Sequence, residues 1–414
     1  MTLQPNLPNI ALLPGAAFLI ALPFTHTVAL RLTMLFVFAV IVVFQTTYFK
    51  LSPHLKYALI AWAGLAMLSL LWATDPAYSF NEIKNEIGYT LLTFFAFYRA
   101  TQTQRAWRLL NLALILGFVA VSISGVFAYW FATPYWQKGG VHGGVGDYST
   151  YLIMIMPLIF LWTLQNTHWR SRTLLLLLLP LALLGGYLTL NRAFWPAFIA
   201  VLCVFWILFI FPNASITSSI KLSVVVLALI VIAGLLFTTS ATVKSPVQGT
   251  RAEILAETVQ QDPRLQLWKF ALTQIERRPL TGAGFGRAAA KSEFFEHFDN
   301  ADFWHAHNLV INYALQLGLG GILVLALVFG ALVKEFWGMY RSENYHARLI
   351  GITGIALIAG TITKNITDDF FVRQHSLLFW AIVGMTMGYG KTLFRKESVD
   401  GSPSFVLNQK PGLV

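Results

Sequence analysis

Apolar residues run along this chain in long stretches with polar ends, and the stretches recur at short intervals. They lie near 9–24, 28–46, 55–73, 84–98, 108–131, 148–165, 173–190, 194–211, 220–238, 307–333, 347–362 and 374–391. Each approaches the roughly 20 mostly apolar residues that carry a helix across a bilayer. The pattern predicts an all-α polytopic membrane protein with twelve transmembrane helices. The run at 84–98 is short and opens on Lys84 and Glu86, which suits a tilted or partly interfacial helix. The runs divide the chain into spans 1–9 over 1–238, a loop over 239–306, spans 10–12 over 307–391 and a tail over 392–414.

The long polar segment at 239–306 breaks the rhythm, and a loop of that length is usually functional or disordered. Its sequence predicts order. Asp262 caps a helix whose first position is Pro263, and Pro279 ends it. Leu265, Trp268, Leu272 and Ile275 then share one face.

Composition supports a bilayer over a soluble core. The 414 residues are 57% hydrophobic and 11% charged, against about 25% charged in soluble domains. The net charge of +11 does not point to nucleic acid, because the basic residues lie in short loops between apolar runs. Alternate loops carry that charge. One set holds Lys50, Lys56, Arg99, Arg105, Arg108, Arg170, Arg172, Lys221, Lys334, Arg341 and Arg348, and the C-terminal tail adds more. The positive-inside rule places this set and both termini in the cytoplasm, with the long loop on the outer side. The first apolar run lacks a basic flank and a cleavage site, so it reads as a retained span. Cys203 is the single cysteine, which excludes an internal disulfide and a cysteine-based metal site.

The candidate chemistry gathers on the outer side. Arg264 falls in the first turn of the loop helix, where its charge and the free N–H groups favour an anion. An interfacial arginine touching headgroups is the plainer reading. Arg192 sits in the tight link Asn191-Arg192-Ala193-Phe194, where it must be paired or snorkel. His305 and His307 precede Asn308 and the tenth run, and no third metal ligand accompanies them. A histidine at a helix start is held neutral by the dipole and can take a proton from a hydroxyl; a polar residue ending a span is the simpler role. Thr281-Gly282-Ala283-Gly284-Phe285-Gly286 looks like a phosphate loop, but no Lys-Ser/Thr follows it, so a backbone turn is expected. The glycine-rich stretch from Lys138 to Asp147, with His142, reads as a connection. Asp368 and Asp369 are adjacent and point apart, so they do not form a metal pair.

Several of these pieces line up together. Arg264 is followed by Trp268, then by Arg278-Pro279-Leu280-Thr281-Gly282-Ala283-Gly284-Phe285-Gly286, and further on by His307-Asn308, nine residues, Gly318, two residues and Gly321. This order resembles the O-antigen ligase and O-antigen polymerase superfamily, and the His-Asn, Gly-x-x-Gly spacing resembles the ligase signature. Trp72-Ala73-Thr74-Asp75-Pro76 with Ser79 is similar to an early segment of the same proteins.

The resemblance implies a GT-C-like glycosyltransferase at the outer face of a bacterial inner membrane, with a periplasmic site. It implies an undecaprenyl diphosphate-linked O-antigen as donor and lipid A–core as acceptor, with no cofactor, nucleotide or nucleic acid. Arg192 and Arg264 then bind the donor diphosphate and His307 is the catalytic residue, with Asn308, His305 and Arg287 as supporting candidates. No set of outer carboxylates suggests a metal, and none is placed as a nucleophile, so the transfer is expected to invert the anomeric centre. An O-antigen polymerase and a protein O-oligosaccharyltransferase share the donor. A secondary transporter would need ionisable groups or broken helices near mid-membrane, and most runs lack them.

Overall fold

The computed structural model describes residues 8–45, 50–131, 142–166, 168–210, 216–244, 250, 262–300 and 303–399. The described residues are mostly helical and contain no strand. The helices are α1 (Asn9–Ala21), α2 (Val28–Gln45), α3 (Pro53–Leu68), α4 (Pro76–Glu82), α5 (Tyr89–Ala100), α6 (Gln104–Phe131), α7 (Val145–Gln165), α8 (Trp169–Leu176) and α9 (Leu178–Leu188). They continue with α10 (Phe194–Ile210), α11 (Ile216–Lys244), α12 (Pro263–Arg277), α13 (Lys291–Phe298), α14 (Leu309–Tyr340), α15 (Tyr345–Asn365) and α16 (Arg373–Val399). A chain spanning a bilayer must satisfy its backbone within each segment, and helices do so.

Every one of the twelve apolar runs coincides with helix. Seven helices are long and apolar enough to cross a membrane, and four shorter apolar helices accompany them. The protein is a multi-pass membrane protein. The run at 84–98 is the last part of a continuous rod. α4 passes through a π-helical turn, Ile83–Gly88, into α5. The π turn carries Glu82 and Glu86 at its edge, and Arg373 at the start of α16 neutralises both, through Nη2 to Glu82 at 2.6 Å and Nε to Glu86 at 3.3 Å. α14 and α16 run past the expected span ends, and α16 continues through the boundary expected at 391. The structure of Lys138, of most of the 239–261 stretch and of the tail beyond 399 lies outside the described residues. α15 lies at the centre, packed against α7, α10 and α14, while α16 packs on α5.

The loop helix starts as its sequence predicts. Asp262 accepts from the Arg264 amide at 3.0 Å, and Pro263 occupies the first turn. Its buried face differs from the expected one. Leu267 and Ala271 are buried, whereas Leu265 and Leu272 are exposed. α12 packs on a small core with Ala283, Ala290, Phe294, Ala306 and Leu315, to which Trp268 and Ile275 add their edges. Periodicity finds an apolar stripe on such a helix, but it cannot tell the side facing protein from the side turned outward.

The glycine run locks this loop onto α14. Gly318 has φ +63° inside α14 and breaks its hydrogen-bond ladder. The carbonyls freed there find new donors. Leu315 accepts from the Ala283 amide at 2.8 Å and Gln316 from the Gly284 amide at 2.9 Å, while the Leu319 amide donates to Pro279 at 2.8 Å. The Gln316 side chain accepts from the Gly286 amide at 2.8 Å. These amides are therefore spent on protein, and the run serves as a backbone clasp rather than a phosphate loop. A Cβ on Gly318 would meet the Pro279 carbonyl at 2.5 Å, and one on Gly282 would collide with the Gln316 backbone.

Gly318→Ala should therefore lose on the order of 1–3 kcal/mol from backbone strain, with the clash added. Gly320→Ala, whose Cβ would meet only the Leu65 side chain at 3.2 Å, should lose far less. Thermal unfolding of both purified variants in detergent checks this; equal losses would remove the clasp from the account.

Candidate functional site

The segment before α14 is held from two directions. Asn308 caps the helix, accepting from the Ile311 amide at 3.0 Å, and its Nδ2 donates to the Ile366 carbonyl at 2.7 Å. That bond ties the start of α14 to the 366–372 link between α15 and α16. Asn312, one turn on, accepts from the Ala306 amide at 3.0 Å. From the other side, Trp268 of α12 donates its indole N–H to the Ala306 carbonyl at 2.8 Å. With both polar groups of Ala306 fixed, its two histidine neighbours have little freedom.

Those neighbours differ. His305 is buried, with its ring edge-to-face on His307 at 3.9 Å between centroids and Trp304 packed on it at 4.1 Å. Its Nδ1 is buried without a hydrogen-bond partner. Burial, reinforced by the Arg287 charge and by His307 once that ring is protonated, pushes the His305 pKa down to about 2. His307 is half-buried and sits at φ +48°. A non-glycine residue in that region stores strain, and such strain clusters at functional sites. His305 is thus a neutral support beneath His307.

The densest polar cluster forms on the 366–372 link. Asp368 is buried, and three elements converge on its carboxylate. Arg264 of α12 donates Nη2 to Oδ1 at 3.0 Å. Asn191, from the link between α9 and α10, donates Nδ2 to Oδ2 at 3.3 Å. Lys364, the fully buried residue one turn earlier, donates Nζ to the same oxygen. Burial alone would raise the Asp368 pKa. The Lys364 and Arg264 charges, with hydrogen bonds from Lys364 and Asn191, outweigh it and hold the carboxyl below its ordinary range.

Asp369 turns the other way, as adjacent residues must. Its Oδ2 accepts from Asn312 and its backbone carbonyl from Arg287. Its Oδ1 is buried without a partner, and burial raises its pKa, with Arg287 and Asn312 opposing. The Arg287 guanidinium also lies over the Trp304 ring at 4.8 Å. The two carboxylates therefore join Arg264 and the Asn191 link to the histidine segment. Beside them an open cavity of about 290 Å³ is lined by Tyr78, Glu82, Arg287, Lys291, Trp304 and Arg373. Burial pushes the Tyr78 hydroxyl up to about 12.

All six residues singled out in the sequence thus fall at one end of the bundle. Arg264 is not a free cation, since Asp262 Oδ2 also lies 3.4 Å from its Nη1. Arg192 is different: next to Asn191, its half-buried guanidinium makes no hydrogen bond or ion pair with any described residue. Lys364 and Arg264 pair with Asp368, Arg264 also with Asp262, and Arg287 acts on Asp369, Asp147 and Glu86. Arg192 and the open donors of Arg264 are the groups that suit a multiply charged anion. Among the described residues, no group of three or more His, Cys, Asp or Glu side chains is placed to hold a metal ion. From the sequence, Lys364 and Asn312 are not singled out as site residues, and Asp368 and Asp369 enter only as adjacent carboxylates that do not form a metal pair. The Lys364/Asp368 spacing of four was the available signal, but that spacing is common on solvated helices.

Comparison with known proteins agrees with the motif. Residues 174–326 match the family model described as O-antigen ligase. The matched segment contains Arg192, Arg264, Arg287, His305, His307 and Gly318. No curated protein matches the chain.

The His305 geometry generates a pH prediction. The folded protein keeps this imidazole neutral while the unfolded chain protonates it below about 6.5, so stability falls as pH drops through that value. His305→Gln should flatten the loss of unfolding temperature between pH 7 and pH 5. An unchanged slope in the variant would contradict the neutral buried form.

Proposed function

We propose that this chain, whose residues 174–326 carry the O-antigen ligase domain, moves a finished glycan from undecaprenyl diphosphate to a sugar hydroxyl of lipid A–core. The reading places the reaction at the periplasmic face of the inner membrane, with both termini cytoplasmic. The observation that carries it is the convergence of Arg264 and the Asn191-Arg192 link on one buried carboxylate, Asp368, beside the His307 segment.

The donor leaves as a diphosphate, so the chief need is to stabilise charge that grows on its oxygens. Arg192 offers a guanidinium with no hydrogen-bond or ion-pair partner among the described residues. Arg264 has five N–H donors, of which Asp368 and Asp262 take one each. Asp368 is then a positioning residue: it holds Arg264 in place with the remaining donors open. A planar guanidinium binds phosphate oxygens in pairs, which an ammonium cannot do.

The acceptor hydroxyl attacks the anomeric carbon as the bond from that carbon to the diphosphate oxygen breaks. The hydroxyl proton passes to the neutral His307 imidazole. The position of His307 before α14 favours the neutral form through the helix dipole, and the stack on His305 fixes its ring. A single displacement inverts the anomeric centre and uses no metal. Arg287, on Trp304 and the Asp369 carbonyl, shapes the wall between this point and the open cavity.

The test is transfer by the purified, reconstituted protein, with lipid A–core and a second lipid-linked glycan offered as separate acceptors. Product on lipid A–core supports ligation; product only on the lipid-linked glycan would make the chain a polymerase. Arg264→Ala and Arg192→Ala should each lose roughly 10²–10³-fold in turnover, with incomplete rescue by Lys. His307→Ala should still bind donor yet transfer roughly 10²–10⁴-fold more slowly. Near wild-type turnover in either arginine variant, or lost donor binding in the histidine variant, would overturn these roles.

A further inference from the structure

The end of the bundle opposite the candidate site holds a larger cavity. α7, α15 and α16 each reach the site with one end, at Val145, Asn365 and Arg373. Their other ends, with the start of α6 and with α8, enclose about 740 Å³. The wall is graded in the same direction on two helices. On α6 it passes from Gln104 and Arg108 to Leu112 and Ile115, and on α8 from Ser171 to Leu174 and Leu175. His168 and His346 join Arg108 at the polar end, and none of the described residues that line it is Asp or Glu. The back is rigid: Trp107 stacks on Tyr389 at 4.9 Å and 11°, and Trp162 donates to Asn111 at 2.6 Å.

The apolar end opens sideways. Leu112 is 54% and Leu174 67% exposed, on the surface that a bilayer would cover. α8 has no buried residue of its own. A cationic mouth without carboxylates selects an anion. An apolar wall continuous with the lipid-facing surface selects a chain attached to it.

We propose that this cavity binds an anionic phospholipid of the leaflet opposite the candidate site. Its phosphate meets Arg108, with His168 and His346 beside it, and its acyl chain lies along Leu112, Ile115, Leu174 and Leu175. Arg108 supplies the planar fork that a phosphate prefers. A free phosphate would satisfy the mouth and leave the apolar half of the wall uncovered, which is why the lipid is the assigned ligand.

The experiment uses the full chain purified in detergent, with dioctanoyl phosphatidylglycerol, dioctanoyl phosphatidylcholine and inorganic phosphate as separate probes. Native mass spectrometry reads binding and thermal unfolding reads stabilisation. Phosphatidylglycerol should bind at least roughly tenfold more tightly than phosphatidylcholine and raise the unfolding temperature, while inorganic phosphate should not. Arg108→Ala should weaken phosphatidylglycerol binding by roughly tenfold. Leu112→Trp, which fills the apolar half and keeps Arg108, should weaken it too, so the proposal stays testable if the arginine variant misfolds. Equal binding of the two lipids, protection by inorganic phosphate equal to that by phosphatidylglycerol, or wild-type lipid affinity in a folded Arg108→Ala would each overturn the assignment.

Discussion

The architecture of the site depends on one carboxylate taken out of water. An ion of this size pays several kcal/mol to leave solvent, and only close partners repay it. Asp368 collects those partners from three places that are far apart in sequence: Asn191, Arg264 and Lys364. The consequence is geometric. The link carrying Arg192, the loop helix carrying Arg264 and the centre of the bundle at α15 must meet wherever Asp368 lies. Removing one partner from such a set leaves an uncompensated charge, so the arrangement is all-or-none in a way that exposed ion pairs are not.

A second constraint sets the height of the loop against the membrane-spanning helices. The break at Gly318 would strand carbonyls inside the bundle, and buried backbone groups must be paired. The 279–286 segment pairs them. The Gly-x-x-Gly spacing and the glycine run are therefore two halves of one contact, separated by about thirty residues in the chain. With the loop fixed by this clasp at one end and by Asp368 at the other, α12 lies close enough for Trp268 to hold Ala306 between the two histidines.

Much of the fold was legible because a bilayer imposes a strong rule on sequence: every apolar run proved to be helix. The cap at Asp262 and Pro263 was equally legible, since it rests on local chemistry. Two things were not. The α12 stripe through Leu265 and Leu272 was visible, yet the buried side runs through Leu267 and Ala271; a helix lying between protein and an apolar surface is greasy on both sides. The hub at Asp368 was invisible for a different reason. A carboxylate next to a second carboxylate near the end of a span looks like a polar link, and nothing local reveals that its partners lie 104 and 177 residues away. Arg192 and Arg264 drew notice as cations near hydrocarbon, but their meeting point is a tertiary fact. His305 illustrates the same limit: it shares a motif's neighbourhood with His307, and only burial and the edge-to-face stack separate support from candidate base.

The central claim is that Arg192 and Arg264, gathered by Asp368, receive the diphosphate of a lipid-linked donor. The most direct measurement is an experimental structure of the reconstituted protein with undecaprenyl diphosphate bound. Diphosphate oxygens are expected within hydrogen-bond distance of both guanidinium groups, with the Arg264–Asp368 pair still in place and His307 facing the point where the anomeric carbon would lie. A diphosphate bound elsewhere on the protein, with both arginines out of reach, would contradict it.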